Sequence, residues 1–323
     1  MADDISIQPI SFQSQGVRCA GRLFRGPAAS ESALAPAVVL ATGFSCTMDW
    51  ILPNYAEAFA RAGFIALTFD YHGFGESDGE PRQVINVESQ RADIIAALAF
   101  ARSLPGVDPD RIALWGFSLG GGYAVAIASE TPGIAAVIAQ APMIDYIKGR
   151  GSHKIPPLEY AKDAVAAVHD TICEYLHLAP YYIKVFGGHG DLACFTGAEF
   201  ERLLPGLQQS SPSWRNQVAP RIVVHPPRYK EGAAERITVP ILFPLADHDE
   251  LVSNSFVISV ASRCPRAEVL HYPCTHFTFH DPPVRDQAIA DQIDFLRRHL
   301  GLIPAPVRPH LPSTSGTEIH QNT

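Results

Sequence analysis

The sequence predicts an α/β fold with a mostly parallel sheet that helices cover on both faces. Continuous apolar runs alternate with stretches of helical periodicity, and short glycine-containing turns separate them. Such runs are typical of strands buried on both faces, and strand–helix alternation is typical of parallel sheets. With 323 residues, 47% of them apolar and 18% charged, the chain is long enough for a large core.

Eight strands are predicted in one sheet. Residues 5–14 and 17–25 alternate apolar and polar side chains around a Ser-Gln-Gly turn, which predicts a β-hairpin. The six further strands are predicted at 36–41, 64–69, 111–115, 135–140, 240–245 and 267–272. Helices are predicted at 52–62, 87–103, 123–129, 254–263 and 284–300.

The strand–helix alternation stops in the middle of the chain. Residues 143–237 contain helical runs such as 161–178 and clusters of aromatic residues, but no clear alternation. We interpret 1–142 and 238–303 as one core and 143–237 as a mainly helical cap inserted over the carboxyl edge of the sheet, where ligands bind in such folds. The alternative is a packed helical subdomain without a ligand role. Residues 304–323 are rich in Pro, Ser and Thr, which predicts a disordered tail.

Composition and charge exclude several classes of partner. The formal net charge of −8 disfavours nucleic acid and anionic membranes, which require a basic surface. No apolar run approaches the ~18 residues that span a bilayer, and the N-terminus lacks the basic and apolar regions of a signal peptide. The six cysteines show no C-x-x-C pair. We therefore expect a cytoplasmic protein with free, buried thiols.

One short stretch carries the strongest chemical signal. Gly116-Phe117-Ser118-Leu119-Gly120 follows an apolar strand and precedes an alanine-rich helix. This G-x-S-x-G spacing is typical of a nucleophile elbow, in which a strained turn exposes the serine above the sheet. A glycine-rich turn without chemistry is the alternative. The strand before it and the helix after it favour Ser118 as a nucleophile.

A serine nucleophile requires a base, and His276 is the best placed of the thirteen histidines. It follows the last predicted strand and precedes the last predicted helix, so its loop reaches the elbow from above. The pair His276 and His280 has the i, i+4 spacing of a zinc site, but the residues between them include no glutamate and Asp281-Pro282-Pro283 prevents a helix. We therefore predict a catalytic base and no metal.

The base requires an orienting acid, which is expected after the preceding strand. Asp247 and Asp249 both stand there, beside Glu250. Asp249 is favoured because it lies three residues beyond the small residue that ends the strand. The chain order Ser118, Asp249, His276 is then the order of nucleophile, acid and base expected for this architecture.

Backbone amides are expected to stabilise the oxyanion. Leu119 N–H supplies one hydrogen bond, and the loop after the third strand supplies the other through Phe44 N–H, with Ser45 as the alternative. A second glycine-rich loop, 73–79, has Asp78 in place of the third glycine of a dinucleotide fingerprint. No cofactor is therefore predicted.

Together these motifs resemble those of the α/β-hydrolase superfamily across residues 5–303. The resemblance rests on the elbow, on the loop Tyr71–Gly79, on Ala246–Asp249 and on His276-Phe277. Within the superfamily, the chain is similar to the branch of dienelactone-hydrolase-like and X-Pro-peptidase-like esterases. In that branch it most resembles a microbial subgroup that includes fungal polyketide transferases. Two residues depart from the family pattern, Thr42 before Gly43 in place of histidine and His72 in place of a loop-bracing arginine.

The expected function is that of a serine hydrolase that cleaves a small-molecule carboxylic ester or thioester through an acyl-enzyme on Ser118. The first alternative is an acyltransferase of secondary metabolism that passes the acyl group to an alcohol or amine. The second is a non-catalytic member that only binds a ligand. Helix 285–300 and the edge strands could each form a homodimer interface, and the sequence does not favour a dimer over a monomer.

Overall fold

The structure is a computed structural model that describes residues 5–27, 34–154 and 156–302. The tail predicted at 304–323 lies outside the described residues. The strands of the described part are β1 (Ser6–Ser14), β2 (Val17–Arg25), β3 (Ala35–Ala41), β4 (Ile65–Phe69), β5 (Val107–Phe117), β6 (Ala136–Gln140), β7 (Lys184–Gly187), β8 (Ala193–Thr196), β9 (Ile241–Ala246) and β10 (Ala267–Tyr272).

Eight of these strands form one sheet in the order β1-β2-β4-β3-β5-β6-β9-β10. β1 pairs with β2 and β2 with β4 in antiparallel fashion, and every other neighbouring pair is parallel. The predicted mostly parallel, eight-stranded sheet is thus confirmed. Because β5 lies in the middle of the sheet, the residue that follows it stands at the centre of the carboxyl edge.

The helices are α1 (Leu52–Arg61), α2 (Val87–Ser103), α3 (Leu119–Glu130), α4 (Pro157–Tyr175), α5 (Ala198–Ser210), α6 (Ala233–Arg236), α7 (Asn254–Ala261) and α8 (Val284–Leu300). Side-chain caps mark the starts of two of these helices. The Asn86 side chain accepts a hydrogen bond from Ser89 N–H at α2, and Ser253 caps α7 in the same way through Phe256 N–H. α2 and α8 match their predicted bounds, whereas α3 begins four residues earlier than predicted, directly after Ser118.

Helices pack on both faces of the sheet, as β5 illustrates. Ile112 and Leu114 point into the larger apolar cluster with α2 and α3, and Trp115 and Phe117 point into the opposite one with α1 and α8. All four side chains are buried. Continuous burial on both faces explains why the strand has no polar side chain from Ile112 to Phe117.

Residues 143–237, here called the inserted segment, contain α4, α5 and α6 together with a parallel pair, β7–β8. The strand pair was not predicted, because strands of four residues give too few alternations for a periodic signal. The division of the chain into core and cap stays a prediction. No helix among the described residues is both long and apolar enough to cross a bilayer. All six thiols are free, and five of them are buried.

Candidate active site

Ser118 occupies a strained turn between β5 and α3. Its φ of +54° lies in the left-handed region, which an L-residue adopts at a cost. A Cβ at Gly116 would lie 2.3 Å from the carbonyl oxygen of Gly120, and one at Gly120 would lie 2.3 Å from that of Thr42. Only glycine therefore fits on either side of the serine, as the motif predicts.

Hydrogen bonds join Ser118 to the side chain of the predicted base. His276 Nε2 lies 3.0 Å from Ser118 Oγ, and His276 Nδ1 lies 2.6 Å from Asp249 Oδ2. The other carboxylate oxygen of Asp249 accepts hydrogen bonds from the backbone N–H groups of Leu251 and Val252, at 2.9 and 2.8 Å. Both oxygens are therefore held in place. His276 is 3% exposed, so the chain of contacts is shielded from water.

Asp247, the alternative acid, points elsewhere. Its carboxylate lies 2.8 Å from Nδ1 of His271, and the two side chains are 39% and 49% exposed. The structure thus brings together Ser118, Asp249 and His276, and it pairs Asp247 with a surface histidine.

The two predicted oxyanion donors flank Ser118. A Cβ at Gly43 would lie 3.2 Å from Cβ of Ser118, so the loop that follows β3 runs directly beside the serine. Within the part of the chain that the structure describes, the N–H groups of Phe44 and Leu119 have no hydrogen-bond acceptor. The same is true of Ser45 N–H there, so the choice between Phe44 and Ser45 stays a prediction.

A buried chain of polar side chains ends beside the site, and it was not predicted from the sequence. Trp115 Nε1 donates to Gln292, whose amide donates to Gln140, at 2.8 and 2.7 Å. Gln140 in turn donates to the hydroxyl of Tyr55, which lies 3.1 Å from Nδ1 of His280. Since the tyrosine oxygen already accepts a hydrogen bond, its own proton is directed at His280. Isolated glutamines give no sequence signal for such a chain.

His280 is neutral in this environment. Burial, reinforced by the neighbouring His276, lowers the pKa of His280 to about 3. Its Nε2 is buried without a hydrogen-bond partner among the described residues, and its ring packs edge-on against Phe117 with 4.4 Å between the ring centroids. His280 therefore contacts the elbow as a neutral, rigid ring.

The loop after β4 is braced by other cations although His72 replaces the family's arginine. Arg82 donates hydrogen bonds to the backbone carbonyls of Ser77 and Gly75. His72 itself lies 3.0 Å from the buried carboxylate of Asp93, which raises the pKa of His72. The departure from the family pattern is compensated locally.

Aromatic residues of the inserted segment form a cluster, here called the aromatic wall, that packs against Phe277. Phe186 stacks on Phe200 at 5.7 Å between ring centroids, and both rings contact Phe277, the residue after His276. Phe195 packs edge-on against Phe44 at 5.3 Å. The inserted segment therefore packs with apolar side chains against the loops that contain Phe44 and Phe277.

Sheet order, elbow and helix placement define an α/β hydrolase. Comparison with known proteins agrees: the family Hydrolase_4, described as "Serine aminopeptidase, S33", matches residues 33–184. The quorum-quenching protein AidA of Acinetobacter baumannii (strain MDR-ZJ06) is 33% identical over 290 residues, which cover 90% of this chain and 94% of that protein. The chain belongs to the α/β-hydrolase family.

Two further comparisons concern one fungal relative. The polyketide transferase grgF of Penicillium sp is 33% identical over 172 residues, which cover 53% of this chain and 56% of that protein. The crystal structure of the alpha/beta hydrolase GrgF from Penicillium sp. sh18 superimposes with a TM-score of 0.74, covering 92% of this chain and all of the other, at 23% identity. At that identity the superposition demonstrates a shared fold.

Proposed function

We propose that this chain is a serine hydrolase that cleaves a carboxylic ester or thioester through an acyl-enzyme. The observation that carries the proposal is the contact chain from Ser118 Oγ through both ring nitrogens of His276 to Asp249. A neutral imidazole bonded at Nδ1 to a carboxylate has its Nε2 lone pair directed at the serine hydroxyl, as a general base requires.

In the proposed reaction Ser118 Oγ attacks the acyl carbonyl carbon while His276 Nε2 takes the hydroxyl proton. Asp249 stabilises the imidazolium, and the N–H groups of Leu119 and Phe44 bind the oxyanion. The intermediate collapses when the C–O or C–S bond breaks and the leaving alcohol or thiol receives the proton from His276. Water then adds to the acyl-enzyme by the same steps, which releases the carboxylic acid and restores Ser118.

The aromatic wall indicates the chemistry of the acyl group. Phe186, Phe195 and Phe200 pack against one another, and they contact Phe277 beside His276 and Phe44 beside Ser118. Apolar surroundings of this kind favour an aliphatic or aromatic acyl chain over a sugar or a phosphate.

The proposal is tested by labelling with a fluorophosphonate probe and by turnover of p-nitrophenyl esters from acetate to octanoate. Ser118→Ala and His276→Ala should lose labelling and on the order of 10⁴ to 10⁶ in kcat. His271→Ala is the matched control, since that histidine is exposed and paired with Asp247. If the wild-type chain neither reacts with the probe nor hydrolyses any ester, the proposal is wrong and a ligand-binding role takes its place.

Acyl transfer is the second candidate, and two observations favour it. His276 is almost fully shielded from water, and one relative is named a polyketide transferase. An alcohol or amine would then replace water in the second half of the reaction with the same residues. Product analysis in mixtures of water and candidate alcohols distinguishes the two. A transferase forms a larger fraction of the new ester than the mole fraction of the alcohol in the mixture.

A further inference from the structure

The helix α4 presents its large apolar side chains to solvent. Leu158, Val165 and Tyr175 are 69%, 70% and 84% exposed, and Val168 and Ile172 are at least half exposed. The buried side chains of the same helix are small or charged: Glu159, Ala166, Ala167, Asp170 and Cys173. This is the reverse of an ordinary surface helix, in which the large apolar side chains face the core.

Polar contacts hold α4 to the rest of the protein. Asp170 forms a buried, bidentate ion pair with Arg221, with two N···O distances of 2.7 Å. Glu159 accepts hydrogen bonds from the Thr196 hydroxyl at 2.7 Å and from Gly190 N–H at 2.9 Å. The exposed apolar face therefore contributes little to the attachment of the helix, and its residues require another explanation.

The exposed residues follow the spacing of a coiled-coil seam. Positions 158, 161, 165, 168, 172 and 175 are separated alternately by three and four residues, and Leu, Ala, Val, Val, Ile and Tyr occupy them. We call these six positions the α4 seam. Alternation of three and four corresponds to the a and d positions of a heptad, which face a partner helix of similar length.

We propose that the α4 seam is a homodimer interface in which α4 packs antiparallel against α4 of a second copy. A two-fold axis between Val165 and Val168 places each of these residues opposite the other. It also places the small Ala161 opposite Ile172, and Leu158 opposite Tyr175. Each pair combines side chains that fit together along the seam, so the surface is complementary to itself.

The size of the surface agrees with a dimer. Leu176 and Leu178 follow the helix directly and are 55% and 58% exposed. Together these side chains offer on the order of 800 Å² of surface, about what each partner contributes to a stable interface and more than the apolar patch of a typical monomer. A groove of about 570 Å³ lies alongside, lined by Ala161, Val165, His169, Tyr181 and Leu192, and provides room for partner side chains.

Charge argues for a protein partner over an anionic lipid surface. α4 carries a single lysine, Lys162, and no arginine, against four carboxylates: Glu159, Asp163, Asp170 and Glu174. Helices that lie on anionic membranes carry lysine and arginine on their polar face.

Sedimentation velocity over a range of micromolar concentrations tests the proposal. The wild-type chain should sediment as a dimer, and Val168→Glu should weaken association by at least on the order of 100-fold, because each dimer would bury two unpaired carboxylates. Ile95→Glu on α2 and Ile258→Glu on α7 are matched controls, since both isoleucines are about 40% exposed and lie outside the seam. Circular dichroism confirms that each variant is folded.

A charge exchange tests the antiparallel arrangement. Leu158→Lys and Tyr175→Glu should each weaken the dimer, and the double variant should restore it, because each lysine then faces a glutamate of the other copy. A parallel pair would place like charges opposite one another and would not be restored. A wild-type chain that stays monomeric, or a dimer that Val168→Glu leaves intact, overturns the proposal. A monomer that co-sediments with phosphatidylcholine vesicles overturns it as well and assigns the seam to a lipid surface.

Discussion

The indole Nε1 of Trp214 donates a hydrogen bond of 2.9 Å to the backbone carbonyl of Ser45. This bond joins the inserted segment to the loop that contains Phe44, the predicted oxyanion donor. Ser45 has a φ of +54°, so its backbone is strained and requires support from its neighbours. The inserted segment therefore supports the loop that lies beside Ser118.

Trp214→Phe should reduce the rate of the proposed ester hydrolysis. The ring can still pack against Phe186, but the support of the Ser45 carbonyl is lost, and the amide at Phe44 is less well aligned. We expect kcat to fall roughly 10-fold with little change in KM, since an oxyanion donor acts on the transition state. Tyr182→Phe is the matched control, because it removes a comparable contact between the inserted segment and the core, the 2.7 Å bond to the carbonyl of Arg82. Equal losses in both variants would contradict the assignment.

Asp249 and Asp247 provide a second comparison. Asp249→Asn should lower kcat by on the order of 10⁴, since an amide that donates to Nδ1 of His276 would stabilise the wrong tautomer. Asp247→Asn should leave kcat within a factor of two, because the Asp247 carboxylate contacts the exposed His271 and not His276. Steady-state kinetics with one p-nitrophenyl ester measures both. A larger loss of kcat for Asp247→Asn than for Asp249→Asn would mean that Asp247 is the acid that orients His276.

Gly43→Ala probes the space between the β3 loop and the nucleophile. The new Cβ would lie 3.2 Å from Cβ of Ser118 and 3.3 Å from the Phe117 ring, which is closer than van der Waals contact. A shift of the serine by a few tenths of an ångström should cost roughly 10- to 100-fold in kcat. Gly206→Ala in α5 meets no atom within 4 Å and should leave kcat unchanged. Crystal structures of both variants would reveal whether Ser118 moves.

The stability of the protein should depend on pH through His280. Its pKa is about 3 in the folded chain, whereas the ordinary pKa of a histidine that is not buried is 6.5. Below pH 6.5 the unfolded chain therefore binds a proton that the folded chain does not, and the free energy of unfolding falls with pH down to about 3. The slope from this one group is at most about 1.4 kcal/mol per pH unit.

Urea denaturation at several pH values between about 7 and 5 measures this slope. His280→Gln should reduce the pH slope of the unfolding free energy by up to the contribution of one proton. His225→Gln, at an exposed position, should leave the slope as in the wild type. An unchanged slope in His280→Gln would mean that the imidazole is not neutral in the folded chain.

The order of strands and helices and the position of the elbow were predictable from the sequence. Each depends on local physics: periodicity over a few residues, and the glycines that the turn at Ser118 requires. The starts of α2 and α8 were predicted correctly for the same reason. The serine and histidine could be chosen in advance because a nucleophile and its base must both follow strands that end at one edge of the sheet.

Other features were decided only by the tertiary structure, because they depend on contacts between residues far apart in the sequence. Spacing after the strand favours Asp249 over Asp247, but only the packed structure places Asp249 at His276 and turns Asp247 to His271. Gln140 and Gln292 meet across 152 positions to form the buried polar chain. The apolar side of α4 is periodic in the sequence. Only the packed structure reveals that this side faces solvent, whereas charged side chains attach the opposite side of the helix to the rest of the protein. Burial is a property of the assembled chain, and no local pattern determines it.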